Sequence, residues 1–314
     1  MNEASATSSE SELQPYLSPL AVFPLSVGSA IGWGSLVVTS KGYLSQAGPA
    51  GSVLGLLIGF AMMLLVSSHY HFLANRYPGA GGLYTYVKKV FGYDRAFLIA
   101  WFMFLIYASI FWANATSVPL FARYFMGSVF KQGYLFTVFQ YDVYLGEAIA
   151  TLVVMWLIGL LCMKSKTGTA KLMVTLVMLF IVGITVCFAV GMIGQPSSGM
   201  SMGPAFVPDK NVLQQVVRIA FISPWAFIGF ETISNSSQEY DFKHSRLFRI
   251  LVAAVSVTTA LYIFIILLSV TAYPEGCNGW LDYITAGWTS SRASPAYRPS
   301  TRHSTILARP GSLF

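Results

Sequence analysis

Two short stretches carry residues whose types and spacing suit the capture of a small charged molecule. Residues 27–35 read VGSAIGWGS, placing Gly28, Gly32 and Gly34 within seven residues of one apolar run. Residues 223–231 read SPWAFIGFE, placing Pro224, Gly229 and Glu231 inside another. Glycine in a helix interior costs ~1 kcal/mol relative to alanine, so each stretch reads as a helix interrupted at its centre. An interrupted helix exposes amide N–H groups at the start of its second half and carbonyl oxygens at the end of its first. The N–H end attracts an anion and the carbonyl end a cation. A zwitterion whose charges lie a few ångströms apart, such as an amino acid, suits both. The plainer reading is that small residues let helices pack closely. It accounts for the first stretch as well as binding does, but not for a second interruption that also carries an acid.

The elements that must hold these stretches are membrane spans. The chain has 314 residues, of which 55% are hydrophobic and 10% charged, and its mean hydropathy is +0.63. A soluble domain carries ~25% charged residues, so a soluble fold is excluded. Apolar segments near the length that crosses ~30 Å of hydrocarbon fall at 19–44, 51–75, 95–126, 143–163, 169–194, 213–238 and 247–273, which predicts seven spans. An unpaired backbone group in hydrocarbon costs several kcal/mol, so a span is interrupted only where the gap lines an enclosed cavity. A charge at mid-depth costs at least ~2.5–3.5 kcal/mol and marks a function. The interrupted spans, one and six, are five apart, as two five-span inverted repeats require.

The net charge of +7 does not point to nucleic acid. Ten of the 19 Lys and Arg fall in the loops after spans two, four and six, five beside spans one, three and five, and four in the terminal tail. This bias places the even loops and the N-terminus in the cytoplasm. The leading segment has three Glu and no Lys or Arg, unlike a signal peptide. Cys162, Cys187 and Cys277 are scattered without a CxxC pair, which supports neither a disulfide framework nor a metal site. No nucleophile with its base, metal cluster or phosphate-binding loop is found. The expectation is therefore a non-enzyme without a cofactor or metal.

Three motifs in order, at matching span positions, carry a family resemblance. They are GSAIGWGSLV (28–37) with AGPAGS downstream (47–52), YPGAGGLYTYVKKVFG (77–92) and PWAFIGFE (224–231). Over roughly residues 18–284 the chain resembles an amino acid permease of the amino acid–polyamine–organocation superfamily. The resemblance implies an all-α polytopic membrane protein with a leucine-transporter-like inverted-repeat fold. It implies secondary active transport of an amino acid across the plasma membrane (the inner membrane if bacterial) by alternating access. The implied substrate-binding residues are Ser29, Ala30, Ile31, Gly32, Trp33 and Gly34 in span one, and Trp225, Ala226, Phe227, Ile228 and Gly229 in span six. The substrate carboxylate would meet the backbone at Gly32, Trp33 and Gly34. Its ammonium would meet carbonyls near Ala30, Trp225 and Ile228. Trp225 matches an aromatic that gates the pocket from outside in some relatives, and Glu231 an acid linked to proton sensing.

Two departures qualify these implications. Many relatives have a small hydroxyl residue where Trp33 stands, so the pocket is reshaped here. Some carry a lysine mid-way along span five, whereas residues 172–192 hold no charge. A proton, an ion or a counter-substrate remains open as the coupling partner, beside the amino acid and the lipid bilayer. Among the other polar residues, Asn114 and Thr116 in span three suit either the pathway or an interhelical hydrogen bond. His69 and His71 read as interfacial anchors, and Glu147 as a solvated boundary residue.

Four regions follow: a disordered cytoplasmic tail (1–17), a first five-span repeat (18–194), the start of a second repeat (195–284) and a segment at 285–314. The last is rich in Ser, Thr, Arg and Pro without periodicity, and reads as a disordered tail or an out-of-frame translation. The implied second repeat stops after span seven, so the expectation is a C-terminally truncated permease that is inactive alone. The rival readings are a membrane protein that binds without transporting and a regulatory half-transporter.

Overall fold

The computed structural model describes residues 16–77, 81–138, 141–193, 203–271 and 279–285. Most of the two terminal segments, Cys277 and residues 78–80 of the second motif lie outside the described residues. The first helix begins where the sequence offers a start signal. Ser18 is extended, its hydroxyl accepts from the Ala21 amide at 3.3 Å, and Pro19 opens the first turn, where its missing N–H is harmless. Helix α1 (Pro19–Ala30) ends at Ile31 and Gly32, both extended, and helix α2 (Trp33–Val37) resumes at once. One wider turn (Val38–Gly42) leads into α3 (Tyr43–Arg76), which kinks at Gly48 with φ +66°. A Cβ at Gly48 would stand 2.8 Å from the Ala205 carbonyl, so glycine is required there for space as well as for φ.

The remaining helices are α4 (Gly82–Phe91), α5 (Tyr93–Ala115), α6 (Ser117–Met126), α7 (Leu145–Lys164), α8 (Lys166–Ile193), α9 (Val212–Ile222), α10 (Leu247–Thr271) and α11 (Trp280–Thr285). Tight 3-10 segments at Ser223–Phe227 and Phe230–Glu239 continue α9. Among the described residues six stretches are long and apolar enough to cross a membrane, and Pro19–Ala30 is apolar but too short alone. The seven expected spans are all helical; the first is realised as α1 plus the start of the helix that follows the break. The molecule is an all-α polytopic membrane protein.

The core gathers spans one, two, six and seven. Gly51, Gly55 and Gly59 recur every four residues along one face of α3, and α9 presses against that face. A Cβ at Gly55 would stand 2.5 Å from the Ile219 Cβ, and one at Gly59 would overlap the Ser223 hydroxyl. Leu56, Ile219, Phe227, Leu251 and Tyr262 fill the interior of this bundle. Spans three to five form an arm joined to the bundle by α8, which lies along α1 and α10; in the arm α5 buries only Ala96 and α7 only Glu147.

At the arm's tip the loop between α6 and α7 forms an antiparallel hairpin not expected from the sequence, β1 (Tyr134–Val138) with β2 (Tyr141–Tyr144). Glu147 corrects its sequence reading. It is 3% exposed, and its carboxylate accepts from Arg123 Nε at 2.5 Å and Nη2 at 2.6 Å. The guanidinium also donates to the Asp142 carbonyl and lies 4.2 Å from the Tyr141 ring centroid. At the opposite end, Leu17 pairs with Tyr240. The chain's start and the end of span six therefore share a side.

Candidate functional site

The two breaks cross in the middle of the bundle. Gly229 has φ +113°, and its absent Cβ is the space taken by the Ser29 carbonyl. The Ser26 hydroxyl donates to the Phe230 carbonyl at 3.3 Å across the same crossing. No side chain larger than hydrogen fits at Gly229. The Gly229 amide donates to a Glu231 carboxylate oxygen at 2.8 Å, and the Thr232 hydroxyl donates to the Gly229 carbonyl at 2.6 Å. Glu231 thus holds its own break open from within the span.

In span one the start of the second half-helix is an N–H cluster with two internal acceptors. The Gly32 amide donates to the Ser35 hydroxyl at 2.9 Å, which in turn donates to the Gly32 carbonyl at 2.8 Å. The Trp33 amide donates to the Asn114 side-chain carbonyl at 3.1 Å. Asn114 therefore makes an interhelical hydrogen bond, one of its two sequence readings, and makes it at the break itself. A Cβ on Gly32 would stand 2.9 Å from that oxygen, so glycine admits the cap. The other two glycines of the motif differ. A Cβ at Gly28 would collide with Val177 of α8, which is the packing role, while one at Gly34 would meet only the Trp225 ring at 3.8 Å, an ordinary contact.

Two cavities flank the crossing. One, of about 340 Å³, lies between α1, α5, α6 and α8, and is lined by Ile31, Gly32, Trp33, Asn114 and Phe121 among others. The Trp33 ring meets Phe121 edge-on, with centroids 5.6 Å apart. The second, of about 260 Å³, lies between α3, α5 and span six, and is lined by Tyr70, Tyr107, Phe227, Ile228 and Glu231 among others. The residues singled out from the sequence are therefore divided. Ile31, Gly32 and Trp33 face the first cavity; Phe227, Ile228 and Glu231 face the second. Ser29, Ala30, Ala226 and Gly229 form the crossing between them. Trp225 is 47% exposed and lies over Gly34.

Sequence reasoning missed Tyr262, which is wholly buried in α10 and donates to the Ala226 carbonyl at 2.7 Å. Its signal was a polar handle inside the apolar run TTALYIF, which in hydrocarbon needs a partner.

The family model described as amino acid permease matches residues 17–276. The chain is similar to the amino-acid permease RocC of Bacillus subtilis (strain 168), at 31% identity over 120 residues, 38% of this chain and 25% of that protein. It is similar to the arginine/ornithine antiporter of Latilactobacillus sakei, at 26% identity over 232 residues, 71% of this chain and 46% of that protein. It is similar to the branched-chain amino acid permease BcaP of Bacillus subtilis (strain 168), at 23% identity over 273 residues, 82% of this chain and 55% of that protein. The chain spans about half the length of the relatives it matches most fully.

Proposed function

We propose a function from one premise: this chain belongs to the amino acid permease family. Its two crossed breaks bind the backbone of an amino acid substrate in a secondary transporter of the plasma membrane, with the N-terminus on the cytoplasmic side. The substrate carboxylate takes the N–H groups of Gly32, Trp33 and Gly34, displacing the Asn114 oxygen from the Trp33 amide. The substrate ammonium takes carbonyls near Trp225 and Ile228. Alternating access rocks the bundle against the arm about this crossing, and Glu231 senses protons. The observation that supports this reading most is the extended backbone at Ile31–Gly32, which opens a half-helix N-terminus onto a cavity of about 340 Å³.

Binding and uptake are separate claims and call for separate assays. The 314-residue protein, purified into lipid nanodiscs, is titrated with each of the 20 L-amino acids by isothermal calorimetry. Saturable binding of at least one of them, with competition among chemically similar members, is the expected result. Heat signals no larger than those of empty nanodiscs for the whole set would end the reading. Uptake into proteoliposomes, run in parallel, separates a complete transport cycle from binding alone.

A further inference from the structure

The carbonyl ends of the two breaks meet at one side chain. Tyr262 lies midway along α10 and is wholly buried. Its hydroxyl donates to the Ala226 carbonyl at 2.7 Å and stands 3.4 Å from the Ala30 carbonyl. The ring is fixed edge-on against Phe227, with centroids 5.8 Å apart. Helix α10 itself is seated on α1, where Ala254 and Leu261 cluster with Val27.

Ala30 and Ala226 lie at the ends of the first halves of the two broken spans. Carbonyls at a helix C-terminus lack the N–H of a following turn and carry the negative end of the helix dipole. In hydrocarbon each needs a donor or a cation. Broken transporter helices commonly meet that need with a coupling cation held by such carbonyls.

We propose that the Tyr262 hydroxyl is a positioning group that fills this place itself, donating to the carbonyl end of the second break and standing beside that of the first, where a coupling cation would otherwise bind. The proposal rests on the reading of the breaks as the substrate site. One phenol oxygen then fixes the geometry of the crossing, and substrate affinity is indifferent to sodium. Tyr43 supplies the control. It is also wholly buried, but its hydroxyl has no hydrogen-bond partner among the described residues. Tyr43→Phe removes a phenol oxygen without releasing a carbonyl; Tyr262→Phe removes one and releases the Ala226 carbonyl.

The test uses the 314-residue protein and the variants Tyr262→Phe and Tyr43→Phe in lipid nanodiscs. Binding of radiolabelled L-arginine and L-leucine, and the melting temperature without them, are measured in sodium chloride and in choline chloride at equal ionic strength. The unaltered protein and Tyr43→Phe should behave alike and ignore sodium. Tyr262→Phe should bind about tenfold more weakly, the loss of roughly one buried hydrogen bond, and sodium should raise both its affinity and its melting temperature. Unchanged affinity in Tyr262→Phe, a loss that sodium leaves untouched, or sodium dependence in the unaltered protein would overturn the proposal. If the unaltered protein binds neither amino acid, the choice of substrate fails and the melting temperatures decide alone. A sodium-specific gain confined to Tyr262→Phe supports the proposal, and no such gain refutes it.

Discussion

The bundle of spans one, two, six and seven and the arm of spans three to five are built from helices of similar hydropathy and opposite fates. Span five is the most apolar, with a mean hydropathy of 2.8, and none of its most apolar window is buried inside the protein. Span six is the least apolar at 1.4, yet 44% of its window is buried. Hydropathy therefore sets which segments enter the bilayer, not which of them pack on one another. Lipid tails are as apolar as leucine, so helices associate where small residues allow close approach and polar groups need partners. The bundle has both, in the Gly51, Gly55 and Gly59 face and in the freed backbone at the two breaks. Among the described residues the arm's ion pair is Arg123 with Glu147, at its tip.

The contrast can be broken most sharply at the glycines. Gly229→Val should have the largest effect, because it combines a collision with the Ser29 carbonyl and a φ of +113° that a β-branched residue resists. Substrate binding should vanish and the melting temperature fall steeply. Gly55→Ile should follow, costing ~1–3 kcal/mol by overpacking against Ile219. Its counterpart in the arm, Gly159→Ile, meets nothing within 4 Å and should leave the melting temperature where it was. Equal losses at Gly55 and Gly159 would erase the distinction between bundle and arm.

A smaller effect is expected within the arm. Arg123→Ala strands the buried Glu147 carboxylate, and the local damage should appear as faster hydrogen exchange over Tyr134–Tyr144. Exchange in α3 and α10 should hardly change. Uniform acceleration would mean that arm and bundle unfold as one. Asn114→Ala tests the seam between the two regions. It removes the cap on the Trp33 amide, which should lower stability by ~1 kcal/mol and leave amino acid affinity unchanged or higher, since an internal competitor is gone. A loss of affinity would make Asn114 a direct contact instead. Gly34→Ala should be the mildest, with no loss of fold, because its Cβ finds ordinary space beside Trp225.

How much of this was legible in the sequence follows the same physical line. The breaks could be read because glycine and proline act on their own backbone, whatever surrounds them. Gly32 and Gly229 do interrupt their spans, while Gly28 serves packing against Val177, a distinction the motif alone could not make. Asn114 could be narrowed to two roles, but its target depends on where span three lies. Tyr262 showed only that it needed a partner, not which, since its partners are 232 and 36 residues away in sequence. Glu147 was misread because Arg123, 24 residues earlier, is brought back to it only by the hairpin. Local chemistry was readable; partners across the crossing were not.

The most direct test of the central claim, that the opened half-helix at Gly32 binds substrate, is a comparison of the unaltered protein with Gly32→Val. A valine there presses on the Asn114 cap and covers the N–H cluster, yet it replaces a residue whose backbone is already extended, which valine tolerates. The account predicts that Gly32→Val melts within a few degrees of the unaltered protein and loses amino acid binding altogether in calorimetric titration. Binding by Gly32→Val as tight as that of the unaltered protein would contradict it, and would leave the glycines of the first break with a packing role alone.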